Sequence, residues 1–213
     1  DITLTGSLPA ITEDLEIVGN THTIDTDAAG YSVFHDTGAA ANIDLTFTGV
    51  TVSGAFTANA IDTSFSNVTI SNSVFDNAPV DITGSGVTVM VTFSTFDNAP
   101  APFVDGFSAN VDSTSHVTIT DSSADSNGGE GFDLYLAGAG STLAIARTSA
   151  DSNGNEGFEI DVQDANSTVT ITDSSANDND DEGVEIDTHG ANTTVTITRT
   201  TVTGNRDEGF DLN

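Results

Sequence analysis

The chain has no cysteine and no lysine, and its only strongly basic side chains are Arg147, Arg199 and Arg206, against 33 aspartates and glutamates. Without cysteine, neither a disulfide framework nor a thiolate metal site can form. The formal net charge of −30 argues against nucleic acid and anionic membranes as partners, because both require a basic footprint. It points instead to bound cations, a salty medium, or both. Tryptophan is missing and proline occurs four times in 213 residues. No apolar run approaches the ~18 residues of a membrane span, so membrane insertion is not expected, and no signal peptide is visible. The chain begins at Asp1 rather than methionine, which reads as a mature form or an excised fragment.

Helical periodicity is also scarce. Short runs of alternating apolar and polar residues take its place, at Ile43–Phe47, Val68–Ile70, Val87–Val91, Val117–Ile119, Leu143–Ile145, Val169–Ile171 and Val195–Ile197. Bounded by Gly, Asn, Asp and Ser, such runs are short strands. They are tied together by a repeat: EGFDL at 130–134 returns as EGFEI at 156–160, EGVEI at 182–186 and EGFDL at 208–212, each copy 26 residues after the last. Between Ser115 and Asn213 every unit holds a TVTIT-like strand, a small residue, an asparagine, a polar turn and the EGFDL strand. Upstream, FDNAP at 75–79 recurs at 96–100, and the units there are shorter and less regular.

A fixed period in this range means stacked units that each bury an apolar face on the next. Units of 21–30 residues with no crossover helices suit an all-β, right-handed parallel β-helix of about eight coils; a propeller blade would need about 40 residues. One domain is expected over residues 1–213, irregular in 1–114 and regular in 115–213, as a fragment of a longer chain. The opening segment at residues 2–25, ITLTGSLPAITEDLEIVGNTHTID, resembles the start of right-handed β-helix domains in bacterial surface proteins, including polymorphic outer-membrane and autotransporter-like families. The SNxxEGFDL units resemble the generic parallel, pectate-lyase-like β-helix repeat. The resemblance covers nearly the whole chain. It implies the fold and leaves activity open, since lyases, hydrolases, epimerases, tailspikes and adhesins share it.

In register, the repeat becomes a contact map. Phe132, Phe158, Val184 and Phe210 point inward, as do Leu134, Ile160, Ile186 and Leu212, with Ile145, Ile171 and Ile197 as a third apolar row. Asn127, Asn153, Asn179 and Asn205 form an amide ladder expected to extend back through Asn98 and Asn77. Gly131, Gly157, Gly183 and Gly209 are expected to supply backbone freedom where a strand begins. Asp121, Arg147, Asp173 and Arg199 alternate in sign along the stack and make an ion-pair zipper that opposes slippage by one coil.

The other acidic rows have no basic partner. Glu130, Glu156, Glu182 and Glu208 stack in one column and Asp133, Glu159, Glu185 and Asp211 in a second, with Asp125 and Asp151 in the preceding turn. Two carboxylates about 5 Å apart repel by roughly 0.8 kcal/mol even at the dielectric of water. Raised pKa values, high salt or hard cations between coils would relieve this. Two readings follow: a solvated acidic face with no specific ion, or Ca2+ held by these ten residues, which offer the oxygen-only ligands that calcium takes. The spacing matches neither an EF-hand loop nor a calcium β-roll. A second exposed surface is rich in threonine, from Thr118 and Thr120 to Thr194, Thr196 and Thr198, but Ala144 and Ala146 interrupt it.

Catalysis finds little support. A lyase of the β-helix type would want a lysine or arginine base, and two of the three arginines belong to the zipper. Paired carboxylates such as Asp161 and Asp187 could serve a glycosidase. However, a catalytic centre needs unequal groups, and here the acids recur in every coil. His22, His35, His116 and His189 occupy different repeat positions and form no cluster. The expected function is a non-catalytic scaffold or adhesin-like segment of an extracellular or cell-surface protein, stabilised by cations. The alternative is a carbohydrate-active enzyme or carbohydrate-binding module using the acidic face. Expected partners are a polysaccharide or a host or cell-surface ligand. The uncapped ends suggest end-to-end association or continuation into neighbouring domains.

Overall fold

In the computed structural model, residues 2–4, 8–20, 22–26, 32–36, 43–54, 59–64, 66–100 and 102–213 are described, so residues 5–7 and 21 of the opening segment lie outside the description. Among these residues there is no helix, and every strand pairing is parallel. The chain winds through three sheets. The first runs Ile2–Leu4, Thr23–Thr26, Thr51–Gly54, Val74–Asp76 and Thr95–Asp97. The second has eight strands, from Leu15–Val18 to Thr194–Thr198; the third also has eight, from Phe34–His35 to Phe210–Leu212. About seven turns of solenoid result. In the regular half the first sheet thins to single bridges that link Thr95, Ser123, Ser149, Ser175 and Thr201 in order.

The period-2 pattern explains why these residues are strands. In Phe132–Leu136, Phe158–Val162 and Val184–Thr188 the alternate residues Phe132, Leu134, Phe158, Ile160, Val184 and Ile186 are buried, with charged residues between them facing out. The in-register pairing Phe132↔Phe158↔Val184↔Phe210 matches the 26-residue alignment. Each buried Phe, Leu or Ile contributes about 1.5–3 kcal/mol by leaving water. Phe132 and Phe158 stack with centroids 5.4 Å apart, and Phe75 and Phe96 at 5.3 Å. The apolar rows open at the last coil, where Phe210 is 41% and Leu212 57% exposed.

The Asn ladder is present from Asn127 onward. Asn153 Oδ1 accepts both the backbone N–H (3.0 Å) and Nδ2 (3.1 Å) of Asn127, and Asn205 Nδ2 donates to the Ala176 carbonyl at 3.0 Å. It does not extend to Asn98 and Asn77. The Ala99 N–H donates to Asn127 Oδ1 at 2.9 Å, so alanine fills the next slot. Asn98 and Asn77 sit one position earlier, in a left-handed turn with φ of 61° and 53°, aligned with Ser126, Ser152, Asp178 and Gly204. Asparagine suits that turn because it tolerates the left-handed region better than most residues.

The strand-entry glycines also have a different reason from the expected one. Gly131, Gly157 and Gly183 do not have positive φ. They are glycine because neighbouring coils come too close: a Cβ on Gly183 would lie 2.2 Å from Val202 Cγ1 and 2.4 Å from Asn205 Nδ2.

The ion-pair zipper occupies a second left-handed turn. Asp121, Arg147, Asp173 and Arg199 all have φ near 52°. The resulting cost is offset by backbone bonds to the next coil, such as Asp121 N–H to the Ala146 carbonyl at 3.0 Å. Arg147 grips Asp121 through Nε (2.6 Å) and Nη2 (2.8 Å), and Arg199 Nη2 reaches Asp173 at 2.7 Å. Both carboxylates are held below their usual range by the arginine hydrogen bonds.

Candidate cation-binding site

Glu130, Glu156, Glu182 and Glu208 stand just before the strands of the third sheet. They stack because the N–H of each following glycine donates to the carbonyl of the next coil's glutamate, as Gly131 does to Glu156 at 3.1 Å and Gly183 to Glu208 at 3.0 Å. Asp133, Glu159, Glu185 and Asp211 follow three residues on, outward-facing and paired in register. Since coils repeat about every 4.8 Å, each glutamate meets its neighbours above and below.

Three groups of carboxylates converge along this edge: Glu130 with Glu156 and Glu159; Glu156 with Asp181 and Glu182; and Glu182 with Asp207 and Glu208. In each group one oxygen per residue lies within 4.8 Å of the others. That distance is twice a calcium–oxygen bond of about 2.4 Å, so an ion seated among them could reach all three.

Five of the ten residues named from the sequence are not in these groups. Asp133, Glu185 and Asp211 remain in the outward column. Asp125 and Asp151 lie on a different edge and are occupied structurally. Asp125 accepts the Asp151 N–H at 2.7 Å and the Ser149 hydroxyl at 3.0 Å, while Asp151 accepts the Asn177 N–H at 2.7 Å. Glu208 joins the exposed last group, Glu130, Glu156, Glu159 and Glu182 the first two, so five of the ten converge. 

Three participants escaped the sequence reading. Asp181 and Asp207 directly precede Glu182 and Glu208, and the coil before them has Asn155, whose Nδ2 donates to Glu130 at 2.8 Å. Asp105 is the other. The Gly106 N–H donates to the Glu130 carbonyl at 3.1 Å, which makes Asp105 the first acid of the glutamate column, 25 rather than 26 residues ahead.

Electrostatics follow from this crowding. Burial, then hydrogen bonding and charge from Glu130, pushes Asp105 up to about 9. Burial also pushes Glu130 up, but hydrogen bonds from Asp105 and Asn155 outweigh it and hold its carboxyl below the usual range. Of the two, Asp105 is the carboxyl that the crowding drives towards its neutral form. Glu156, only 9% exposed, is pushed up to about 8 by burial and then by Glu130, Glu159 and Asp181. Glu159 is pushed up to about 7 by burial and by Asp133, Glu130 and Glu185. Burial and neighbouring acids raise Glu182 and Glu185 as well. The edge has too little positive charge for its carboxylates, and a proton or a hard cation would supply it.

Asp161 and Asp187 stack in register as expected. Gln163 Nε2 donates to both Asp161 oxygens at 2.6 and 2.8 Å, and His189 Nε2 stands 3.8 Å from Asp161.

Residues 31–196 match the family model described as the right-handed beta helix region. No curated protein and no solved structure matches the chain.

Proposed function

As the chain belongs to the right-handed β-helix family, we propose that it is a non-catalytic scaffold, an adhesin-like segment of an extracellular or cell-surface protein, whose acidic edge is stabilised by Ca2+. One observation carries this reading: between each successive pair of glutamates from Glu130 to Glu208 a third carboxylate, Glu159, Asp181 or Asp207, converges, with one oxygen per residue within 4.8 Å of the others. Repetition suits a structural ion column, whereas catalysis needs one coil unlike the others. The bidentate grip of Arg147 on Asp121 supports the same reading, because it removes an arginine that a lyase would use as base.

Equilibrium dialysis with calcium in constant monovalent salt tests it. The protein should bind calcium, and Glu156→Gln with Glu182→Gln should remove most of that binding, since these two glutamates bridge adjacent groups. Unchanged binding in the double variant would overturn the ion column. Turnover of acidic or neutral polysaccharides by the purified chain would overturn the non-catalytic part.

A further inference from the structure

Three Asn-x-Ser/Thr triplets occur in the chain, at Asn67-Val68-Thr69, Asn166-Ser167-Thr168 and Asn192-Thr193-Thr194. This triplet is the acceptor for N-linked glycosylation in exported proteins, where it requires a surface position. The fold treats the three asparagines differently.

Asn67 is engaged at both ends of its side chain. Its Nδ2 donates to Asp44 Oδ1 at 2.9 Å, and its Oδ1 accepts the Thr88 N–H at 2.8 Å. A sugar on that nitrogen would break the contact with Asp44. Asn166 and Asn192 are exposed at equivalent left-handed turns of consecutive coils, with φ of 62° and 61°. Both are followed two residues on by exposed threonines, Thr168 and Thr194, which pair in register. Asn192 Nδ2 donates to Asn166 Oδ1 at 3.3 Å, so its nitrogen points at a neighbour. The Asn166 nitrogen has no such neighbour, because the equivalent residue one coil up is Gly140, whose N–H donates to the Ala165 carbonyl. A Cβ placed on Gly140 would meet nothing within 4 Å. The space beside Asn166 is open.

We propose that Asn166 is an N-glycosylation site that takes an oligosaccharide from a lipid-linked donor through an oligosaccharyltransferase. The Asn166 Nδ2 forms the new bond to the anomeric carbon, the bond from that carbon to the lipid phosphate oxygen breaks with its electrons leaving on the phosphate, and one amide proton passes to a base of the transferase. Coil spacing of about 4.8 Å leaves no room for a second glycan on Asn192. The proposal rests on the extracellular reading above, since the transferase acts on exported chains.

Intact glycopeptide mass spectrometry of the full gene product from its native host tests it. Cleavage before aspartate separates the sites into the fragments 62–75, 164–172 and 187–206. Fragment 164–172 should carry the glycan and the other two should be bare. Asn166→Gln should abolish the modification, and Gly140→Asn, which completes a triplet with Ser141 and Thr142 one coil from Asn166, should shift the glycan from fragment 164–172 to fragment 133–150. A bare 164–172 fragment in chains recovered outside the cell overturns the proposal and leaves the extracellular reading standing. Glycan on Asn67, or on Asn192 in place of Asn166, also overturns it. Chains confined to the cytoplasm overturn both.

Discussion

Asn153 Nδ2 donates to Asn179 Oδ1 at 3.1 Å, and that same oxygen also accepts the Asn153 backbone N–H at 2.9 Å. Asn153 Nδ2 further reaches the Ala124 carbonyl at 3.1 Å, so one buried amide closes three coils on one another. Asn153→Ala strips partners from the buried Ala124 carbonyl and Asn127 N–H and should cost about 2–3 kcal/mol in urea unfolding. Asn205→Ala, at the more open end of the ladder, should cost visibly less. Equal costs would show that burial does not set the ladder's strength.

Gly157→Ala and Gly183→Ala should each destabilise the chain by about 1–3 kcal/mol through overpacking. The added methyl meets Ala150 and Gly183 carbonyl oxygens at 2.7 Å in the first case and Val202 Cγ1 at 2.2 Å in the second. Gly209→Ala is the control, because its nearest neighbour would be 3.4 Å away. Thermal melts of the three variants decide between crowding and backbone freedom: if freedom were the reason, all three would lose similar stability.

The zipper at Asp121, Arg147, Asp173 and Arg199 is exposed and should matter for register more than for stability. Arg147→Ala should lower the melting temperature slightly, and Arg147→Asp, which sets three acids in a row, should lower it further. The gap between the two variants should shrink in high monovalent salt, where exposed charges are screened. A gap unchanged by salt would mean that Arg147 acts through packing of its stem.

The 26-residue period was enough to pair Glu159 with Glu185 and Asp121 with Arg147, because a parallel stack turns sequence spacing directly into contact. It failed where the spacing slips. Asp105 lies 25 residues before Glu130 and belongs to the same column, yet carries the other acidic side chain in an irregular coil. The FDNAP copies suggested that Asn98 continues the Asn ladder, but Asn98 aligns with Ser126 and Ala99 with Asn127, so the asparagine stands one position before the ladder slot. Left-handed turns explain part of this opacity. Asn, Asp, Arg, Ser and even Phe93, at φ 50°, occupy equivalent corners, so residue type alone does not mark them.

The acidic edge should also set the response to pH. Asp105, Glu156 and Glu159 have folded-state pKa values of about 9, 8 and 7, all above the ordinary value of about 4 for an unfolded carboxyl. The folded state therefore holds protons that the unfolded state has released. By linkage, stability falls as pH rises from about 5 to about 9 and is greatest below that window. In chelator and low salt, the melting temperature should decline across this range. Glu156→Gln should flatten the decline near pH 8, and an unchanged slope would show that Glu156 is not among the protons responsible.

The most direct measurement compares melting curves at pH 8 and one fixed ionic strength in calcium, magnesium and chelator. On the proposed reading, a calcium ion seated among Glu130, Glu156 and Glu159 would bind only the folded chain, because only the stack brings these three together. At calcium about a hundredfold above its dissociation constant this adds about 2.7 kcal/mol, or roughly 5–10 °C for a chain of this size. Calcium should raise the melting temperature by that order above chelator and by more than magnesium does, and Glu156→Gln with Glu182→Gln should abolish the difference. Three superimposable curves would contradict a calcium-stabilised edge and leave only general screening of a solvated acidic face.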